Sequence, residues 1–354
     1  MSTVAKAYFL NVAAQPLVPR DLVLSDPGPA EVLIKVSACG LCHTDLGYAD
    51  GSVAPNHPLP LVLGHEITGV VVNAGEHYTH LDNKPVLVPS VIPCLTCEFC
   101  CSGRGNACPN QKMPGNDIHG GFATHMLCPA GALIPLDAAP PGFDLCALSV
   151  TADAVSTAYQ AIKRSNLLAG DVAFVVGSGG VGGFVIQIAN ALGAHVVACD
   201  VDNDRLGFMK TFGAHHTVLV RDRQPKEVRK ELHGIAKDLR VASLKFRIFE
   251  CSGTPSGQTL AFTLLAKGAT LVQVGYTPKP IEIRLSNLMA FDATVHGSWG
   301  CPPELYPEIL QLIYGGKIQI TPFIEHAKLS EINQHLDDMA HHRLARRLVL
   351  NPDS

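Results

Sequence analysis

Apolar and polar positions divide the chain into three parts with different periods. Residues 1 to about 90 carry short runs such as EVLIKVSAC and ITGVVVNAG, separated by prolines and glycines, and this pattern predicts a mainly β domain. Residues 170 to about 300 alternate short apolar runs with helical periods. After Pro302 the pattern is helical again, and the chain closes with RRLVL, a strand-like run that we expect to rejoin the first domain.

The middle part contains six candidate strands, which are AFVVG, HVVACD, HTVLV, FRIFECSG, TLVQVG and TVHGSW. Strands that alternate with helices predict a doubly wound parallel sheet. A helical pattern that begins at Leu145 and runs through Asp153 to Lys163 precedes them. We therefore expect an α/β protein with a mainly β domain over 1–149, a doubly wound domain over 150–299, and a C-terminal segment over 300–354.

A glycine-rich run, VVGSGGVGG over 175–183, follows the first of these strands. In the pattern Gly177-x-Gly179-x-x-Gly182, the first glycine permits a tight turn, the second lets the backbone approach a pyrophosphate, and the third lets the helix pack on the strand. Gly180 and Val181 complete the loop. A lone pattern of this kind is weak evidence, but here strand, helix and second strand all surround it, and they predict a dinucleotide site.

Asp200 ends the second strand, where its carboxylate is placed to accept hydrogen bonds from both hydroxyls of an adenosine ribose. A phosphate there would be repelled, so we expect NAD rather than NADP, with Arg205 the one nearby cation that could offset the charge. We also assign Val274 and Ser298, in the runs TLVQVG and TVHGSW, to cofactor binding.

The chain has twelve cysteines, and four of them follow the spacing Cys94-x₂-Cys97-x₂-Cys100-x₇-Cys108. Four thiolates at this spacing can close a tetrahedron around zinc. The surrounding loop has no regular period, so a metal would have to hold it. A complete set of four protein ligands leaves no open position, so this site is expected to be structural, with Cys101 a bystander.

A second group of possible ligands is scattered along the chain. Cys42 and His65 are the residue types that zinc selects, although, taken alone, either one is better explained as a buried cysteine or a surface histidine. Asp153 lies in the apolar stretch LSVTADAVSTAYQAI. A carboxylate there needs a metal or a cation as partner, unless it caps a helix or lies at the surface.

Composition narrows the class of protein. Apolar residues make up 47% of the chain and charged residues 16%, with a formal charge of −4 and no basic run, which disfavours nucleic-acid binding. The N-terminus lacks a signal-peptide pattern, and no apolar stretch reaches membrane-spanning length. We expect an oligomeric protein of the cytoplasm that uses neither membrane nor nucleic acid.

Together, CGLCHTD, GHE, the four-cysteine loop and GSGGVGG resemble the zinc-dependent medium-chain alcohol dehydrogenases, and the resemblance covers the whole chain. It implies a GroES-like catalytic domain, a Rossmann domain that binds NAD, and one catalytic and one structural zinc per chain. It also implies a small-molecule substrate and a homo-oligomer, either a dimer or a tetramer. It also implies that Cys42 and His65 hold the catalytic zinc. The usual third ligand is a cysteine six residues before an aromatic residue; counting back from Tyr159 gives Asp153, a departure that keeps an anionic ligand.

The resemblance assigns further roles near that zinc. Thr44 takes the substrate proton, Glu66 is an acid close to the metal, and Asp45 orients His65. His43 and Arg347 match cationic positions near the cofactor pyrophosphate.

Gly47 is a second departure, because many relatives carry there a histidine that passes the proton to water. The relay then ends at the nicotinamide ribose and solvent, or uses another group such as His57.

Longer stretches, including VIPCLTCEFC, MPGNDIHGGFATH and RLSNLMAF followed by WGCPPELYP, resemble one branch of this family. That branch oxidises 6-hydroxycyclohex-1-ene-1-carbonyl-CoA to the 6-oxo compound with NAD⁺ in the anaerobic degradation of aromatic compounds through benzoyl-CoA. The branch resemblance implies a CoA-thioester alcohol as substrate. Two alternatives stay open: a generic NAD-dependent zinc dehydrogenase for small or allylic alcohols, and a non-catalytic crystallin-like or scaffold protein on the same fold.

Overall fold

A computed structural model describes residues 2–352 of the chain. The chain forms two compact units. The first contains the residues up to Ser156, Gly300–Tyr314 and the residues from Gln319 onward, and the second contains Thr157–Trp299 and Gly315–Ile318. Each unit has its own sheet structure and is described separately.

The strands of the described residues are β1 (Thr3–Leu10), β2 (Val18–Leu24), β3 (Glu31–Gly40), β4 (Leu61–Val62), β5 (Glu66–Ala74), β6 (Pro85–Val88), β7 (His125–Pro129), β8 (Ile134–Pro135), β9 (Val172–Val176), β10 (His195–Asp200), β11 (His216–Leu219), β12 (Phe246–Glu250), β13 (Thr270–Gln273), β14 (Thr294–Gly297), β15 (Ile324–Lys328) and β16 (Arg347–Asn351). The α-helices are α1 (His43–Asp50), α2 (Glu98–Cys101), α3 (Ala154–Ser165), α4 (Gly182–Ala191), α5 (Asn203–Thr211), α6 (Pro225–Asp238), α7 (Pro255–Thr263), α8 (Ser286–Phe291), α9 (Tyr306–Tyr314) and α10 (Ile332–Ala340).

The main sheet of the first unit has the order β15-β16-β3-β5-β6-β8, and a smaller sheet has the order β2-β1-β4. Strand β7 pairs with the first half of β3, and β16 pairs with its last two residues. Strand β3 runs antiparallel to β5, with Gly40 opposite Glu66, and antiparallel to β16, with Val349 opposite Gly40. Buried residues such as Ile34, Ile67 and Val71 form the core beneath this sheet. The register therefore brings the end of β3, the start of β5 and the start of β16 to one place.

The second unit is a parallel sheet in the order β11-β10-β9-β12-β13-β14, so the doubly wound sheet expected from the sequence is confirmed. All six candidate strands are present. Strand β9 is completely buried along its length, as expected for a central parallel strand with helices on both faces. The carboxyl ends of the strands meet at one edge, where β9 leads into the glycine-rich loop.

Two segments differ from the pattern in the sequence. Helix α1 lies in a region predicted to be mainly β; its first turn is closed locally, because Asp45 Oδ2 accepts a hydrogen bond from the backbone N–H of Cys42 (3.0 Å). The helix predicted from Leu145 to Lys163 is interrupted. A 3₁₀ segment, Ala147–Ala152, ends at Asp153, whose φ of −132° and ψ of −68° are not helical, and α3 begins after it.

Across residues 2–352 we find no helix with both the length and the apolar character that crossing a bilayer requires.

Candidate metal centres and nucleotide site

Cys42, His65 and Asp153 converge in the first unit. Cys42 follows β3 by two residues and His65 immediately precedes β5, so the antiparallel register of these strands places them side by side. Asp153 Oδ2 lies 3.6 Å from Cys42 Sγ and 3.6 Å from His65 Nε2. The interruption before α3 turns this carboxylate towards the other two residues, which lie more than eighty residues away in sequence.

These distances fit a metal ion. Zinc binds nitrogen, oxygen and sulfur ligands at about 2.0–2.3 Å, so two ligands of one tetrahedral ion stand about 3.3–3.8 Å apart. His65 is 1% exposed, and its Nε2 has no hydrogen-bond partner within the described part of the chain. An unpaired buried nitrogen is costly, and a metal would satisfy it. Cys42, His65, Glu66 and Asp153 together form a group whose ligand atoms all lie within 4.8 Å of one another.

Asp45 orients two of these side chains from α1. Its Oδ1 lies 3.3 Å from His65 Nδ1 and accepts a hydrogen bond from the N–H of Gly64, and its Oδ2 binds the N–H of Cys42. Burial alone would lower the pKa of His65, but the carboxylates of Asp45 and Asp153 raise it well above 6.5. A carboxylate on Nδ1 leaves Nε2 as the nitrogen that faces the metal position.

Glu66 is completely buried beside this group. Its Oε1 accepts a hydrogen bond from Arg347 Nη1 (2.6 Å), and its Oε2 has no partner among the residues described. Burial raises the pKa of Glu66 to about 7, although Arg347 opposes the shift. A Cβ at Gly40 would lie 2.0 Å from Oε2, so only glycine opposite Glu66 leaves room for this carboxylate. The structure therefore pairs Arg347, which the resemblance assigned to the pyrophosphate, with an acid beside the metal position.

Tyr306 supports the Asp153 segment, and no role for it follows from the sequence pattern. Its ring is fully buried, and its hydroxyl donates a hydrogen bond to the carbonyl of Ala152 (2.7 Å) and lies 3.2 Å from Ser156 Oγ. The N–H of Ser90 also binds the Ala152 carbonyl (3.2 Å). Ser156 Oγ donates to it as well (3.1 Å), so three donors satisfy the carbonyl that is freed where the helix breaks. The stretch WGCPPELYP contains this tyrosine, but its spacing carries no sign of the contact.

The residues proposed for proton transfer lie on and near α1. Thr44 is half-buried, and its Oγ1 lies 3.7 Å from Cys42 Sγ. His43 is exposed in the first turn of the helix. His57 Nδ1 binds the carbonyl of Pro58 (2.6 Å), and its ring packs 5.2 Å from that of His119. No hydrogen bond joins His57 to Thr44 in the described structure.

The four cysteines with zinc-type spacing form a second group in the first unit. Cys97 Sγ lies 3.5 Å from Cys100 Sγ and 3.6 Å from Cys108 Sγ, and Cys94 Sγ lies 3.9 Å from Cys100 Sγ. These separations are far longer than the roughly 2.05 Å of a disulfide and match sulfur ligands of one zinc ion. Cys101 is exposed and its Sγ is directed at the carbonyl of Thr96, so it lies outside the group.

The glycine-rich loop of the second unit is shaped for close backbone approach. Gly177 has a φ of +86°, and a Cβ there would lie 2.6 Å from the backbone of Ser252; a Cβ at Gly182 would lie 1.9 Å from the Gly177 carbonyl. At Gly179 nothing lies within 4 Å of a Cβ position, so the backbone there is open to a ligand. Gly180 and Val181 lead from this open point into α4. The loop fits a dinucleotide pyrophosphate at a helix N-terminus.

Asp200 is 5% exposed and holds this loop. Its Oδ2 accepts hydrogen bonds from the N–H (2.7 Å) and the Oγ (2.8 Å) of Ser178, and its Oδ1 accepts from the N–H of Asp202 (3.0 Å). Arg205 Nη1 stands 3.4 Å from Oδ1, the weakest of these contacts. A ribose hydroxyl could take the place of that guanidinium.

Val274 and Ser298 follow β13 and β14 at the same carboxyl edge of the sheet. The N–H of Val274 donates to the carbonyl of Glu250 (3.0 Å), and the N–H of Ser298 donates to the carbonyl of Gln273 (3.0 Å). The Oγ of Ser298 is buried without a partner among the described residues. The glycine loop, Asp200 and these two residues therefore line one edge of one sheet.

Comparison with known proteins agrees with the two-unit fold. A family model described as an alcohol dehydrogenase GroES-like domain matches residues 28–138, and one described as a zinc-binding dehydrogenase matches residues 180–314. An alcohol dehydrogenase of Geobacillus stearothermophilus is 30% identical over 323 residues, which is 90% of this chain and 91% of the relative. A NAD-dependent alcohol dehydrogenase of Sulfolobus acidocaldarius is 30% identical over 98% of this chain and 99% of its own length.

Among solved structures, acetophenone reductase from Geotrichum candidum in complex with NAD is 26% identical, with a TM-score of 0.84 over 98% of this chain and 97% of that one. Family models, relatives and structure agree on both units of the fold. The chain belongs to the zinc-dependent medium-chain alcohol dehydrogenases, enzymes that oxidise CH–OH groups with a nicotinamide cofactor.

Proposed function

We propose that this protein oxidises 6-hydroxycyclohex-1-ene-1-carbonyl-CoA to 6-oxocyclohex-1-ene-1-carbonyl-CoA with NAD⁺. The observation that carries the alcohol oxidation is the convergence of Cys42, His65 and Asp153 within 3.6 Å contacts, with Thr44 beside Cys42. The specific alcohol rests on the branch resemblance of stretches such as MPGNDIHGGFATH and WGCPPELYP. The ring ketone formed would be conjugated with the alkene.

Cys42, His65 and Asp153 would hold the catalytic zinc, and Cys94, Cys97, Cys100 and Cys108 the structural one, for two ions per chain. The first three ligands bring two negative charges, which balance a divalent cation. When bound, zinc supplies Lewis acidity that lowers the pKa of the substrate hydroxyl, and NAD⁺ accepts the hydride. The reaction removes one hydride from the carbinol carbon and one proton from its oxygen, which leaves the carbonyl.

The chain's own residues then have distinct roles. Thr44 Oγ1 accepts the proton from the substrate hydroxyl and donates its own onward. Asp45 keeps His65 in the orientation that presents Nε2, and Arg347 compensates the charge of Glu66. Gly47 offers no proton acceptor, so we assign the outward step to the nicotinamide ribose and solvent. His57 is the alternative, and its hydrogen bond to Pro58 argues against it.

We propose NAD rather than NADP as the cofactor. Asp200 holds the glycine loop through Ser178, and an acid at the end of this strand is expected to repel a 2′-phosphate. Arg205 is already drawn towards the Asp200 and Asp202 carboxylates, at 3.4 and 3.9 Å. It would have to leave them in order to bind a phosphate.

A turnover screen tests the substrate. NAD⁺ reduction is measured with the CoA-thioester alcohol, with its free acid, and with cyclohexenol and short primary alcohols. We expect kcat/KM to be highest for the thioester. If cyclohexenol is turned over equally well, the protein is instead a generic NAD-dependent dehydrogenase for allylic alcohols. No turnover of any alcohol, together with one zinc per chain instead of two, would favour the non-catalytic scaffold.

We also propose a homo-oligomer that works in the cytoplasm. Strand β14 is one of the two edge strands of its sheet, and apolar side chains near it are exposed, with Leu285 at 66%, Met289 at 79% and Val295 at 40%. An exposed apolar strand edge invites pairing with a second copy. None of the twelve cysteines, all of which lie within the described residues, is joined in a disulfide, which suits a reducing compartment. Light scattering on the wild type and on Val295→Lys tests the assembly, since the lysine should shift it towards monomer.

A further inference from the structure

The loop that follows β12 lies close to the glycine-rich loop. Strand β10 pairs with one side of β9, and strand β12 pairs with the other side. The order in which successive strands are added to the sheet therefore reverses between β9 and β12. In doubly wound sheets the ligand crevice opens at this point, outside the carboxyl ends of the strands. The close contact of Gly177 with the Ser252 backbone means that the position of residues 251–253 limits where the glycine loop can lie.

A buried carboxylate holds residues 251–253 in place. Glu250, the last residue of β12, is 0% exposed. Its Oε1 accepts hydrogen bonds from the N–H (2.8 Å) and the Oγ (2.5 Å) of Ser252. Its Oε2 accepts from Gln273 Nε2 (2.8 Å), which also donates to the carbonyl of Gly275 (2.6 Å). One side chain therefore joins the loops that follow β12 and β13.

The surroundings of Glu250 explain why an acid occupies this place. Burial raises its pKa, and the hydrogen bonds from Ser252 and Gln273 oppose that shift. No salt bridge to Glu250 occurs in the described part of the chain, so only hydrogen-bond donors compensate the cost of burying the carboxylate. A carboxylate is an acceptor at both oxygens, which is what the converging donors require.

We propose that Glu250 is a positioning residue for dinucleotide binding, because its carboxylate fixes residues 251–253 against the glycine loop at the crevice between β9 and β12. It acts through Ser252 and does not touch the reacting atoms. The inference rests on nicotinamide-cofactor binding by this unit and is independent of which alcohol is oxidised.

The test is Glu250→Gln, which keeps the shape of the side chain but directs an amide N–H₂ at one set of donors. The dissociation constant for NADH is measured by fluorescence titration without any alcohol, so it does not depend on the proposed substrate. We expect it to rise about tenfold, the effect of losing one hydrogen bond to a charged group. The KM for alcohol at saturating NAD⁺ should change little.

Asp171→Asn is the matched control. Asp171 is a second buried carboxylate of the same unit, paired with Arg247 at 3.2 Å just before β9, at the amino end of the sheet. It should lower Tm without changing the NADH dissociation constant. Wild-type affinity in Glu250→Gln, or an equal loss of affinity in Asp171→Asn, would overturn the proposal. If Glu250→Gln does not fold, Gln273→Ala, which removes one donor from the same carboxylate, must weaken NADH binding for the proposal to stand.

Discussion

Arg347 Nη1 lies 2.6 Å from Glu66 Oε1, with side chains 9% and 0% exposed. The pair joins β16, near the end of the chain, to the start of β5, next to His65. Glu66 Oε2 meanwhile has no hydrogen-bond partner in the described structure. The cation therefore keeps a carboxylate inside the metal-ligand group without occupying both of its oxygens.

Removal of Arg347 should be costly, because it leaves a buried carboxylate uncompensated. We expect Arg347→Met to lower the free energy of unfolding by about 3–5 kcal/mol in urea titrations. The exposed neighbour Arg346, changed to Met, should have almost no effect. The double variant Glu66→Gln/Arg347→Met should recover part of the loss. If Arg347→Met is as stable as Arg346→Met, Arg347 does not compensate the buried charge of Glu66.

Cys97→Ser should remove one zinc per chain and lower Tm, because the loop between Cys94 and Cys108 has little regular structure to hold it without metal. Cys101→Ser is the control, since this neighbouring thiol lies outside the four-sulfur group. Metal analysis and thermal unfolding are read together. Full zinc content in Cys97→Ser would show that the four sulfurs do not bind the ion.

Asp153→Ala should remove the other zinc while the fold survives, since only one of three ligands is lost from a site that the sheet register already assembles. Asp153→Cys restores an anionic ligand and should retain the metal. Asp137→Ala, at an exposed ion pair with Lys84, provides the surface control. If Asp153→Ala keeps its full metal content and activity, another residue is the third ligand.

The wild-type enzyme should use NAD far better than NADP, as measured by kcat/KM. Asp200→Asn removes the negative charge but keeps an oxygen that can accept from Ser178. We expect the NAD-to-NADP ratio to fall about tenfold in this variant, which corresponds to about 1.4 kcal/mol of lost repulsion. Equal kcat/KM for the two cofactors in the wild type would contradict the role given to Asp200.

Protonation of His119 should make the first unit less stable in mild acid. Its Nδ1 accepts a hydrogen bond from the N–H of Val62 (3.2 Å), and burial, together with the charge of His57, lowers its pKa below the ordinary 6.5. A lowered folded-state pKa means that its contribution is complete above pH 6.5 and is lost as the pH falls through the lowered value.

His119→Asn keeps an acceptor for Val62 but does not titrate. Its free energy of unfolding should fall less than that of the wild type between pH 7.5 and pH 5.5. The exposed His342→Asn should follow the wild type. Parallel pH profiles for the wild type and His119→Asn would rule out this role for His119.

The sequence by itself determined the features whose parts lie close together along the chain. The six strands of the second unit, the turn at Gly177 and the spacing of Cys94 to Cys108 each depend on at most a few tens of residues. Local backbone geometry and the period of apolar positions constrain such features strongly. The order of strands and helices in the second unit therefore sufficed to predict its doubly wound sheet.

The tertiary structure alone decided the contacts between distant segments. The register of β3 with β5 and β16 brings Cys42, His65 and Arg347 together, and the interruption at Asp153 turns a residue expected within a helix towards them. Tyr306, which satisfies the freed carbonyl of Ala152, and Glu250, which joins two loops, left no trace in spacing or period. Such contacts depend on strand pairing and on the pairing of buried polar groups that lie between 23 and 281 residues apart in sequence, and local sequence patterns carry no information about either.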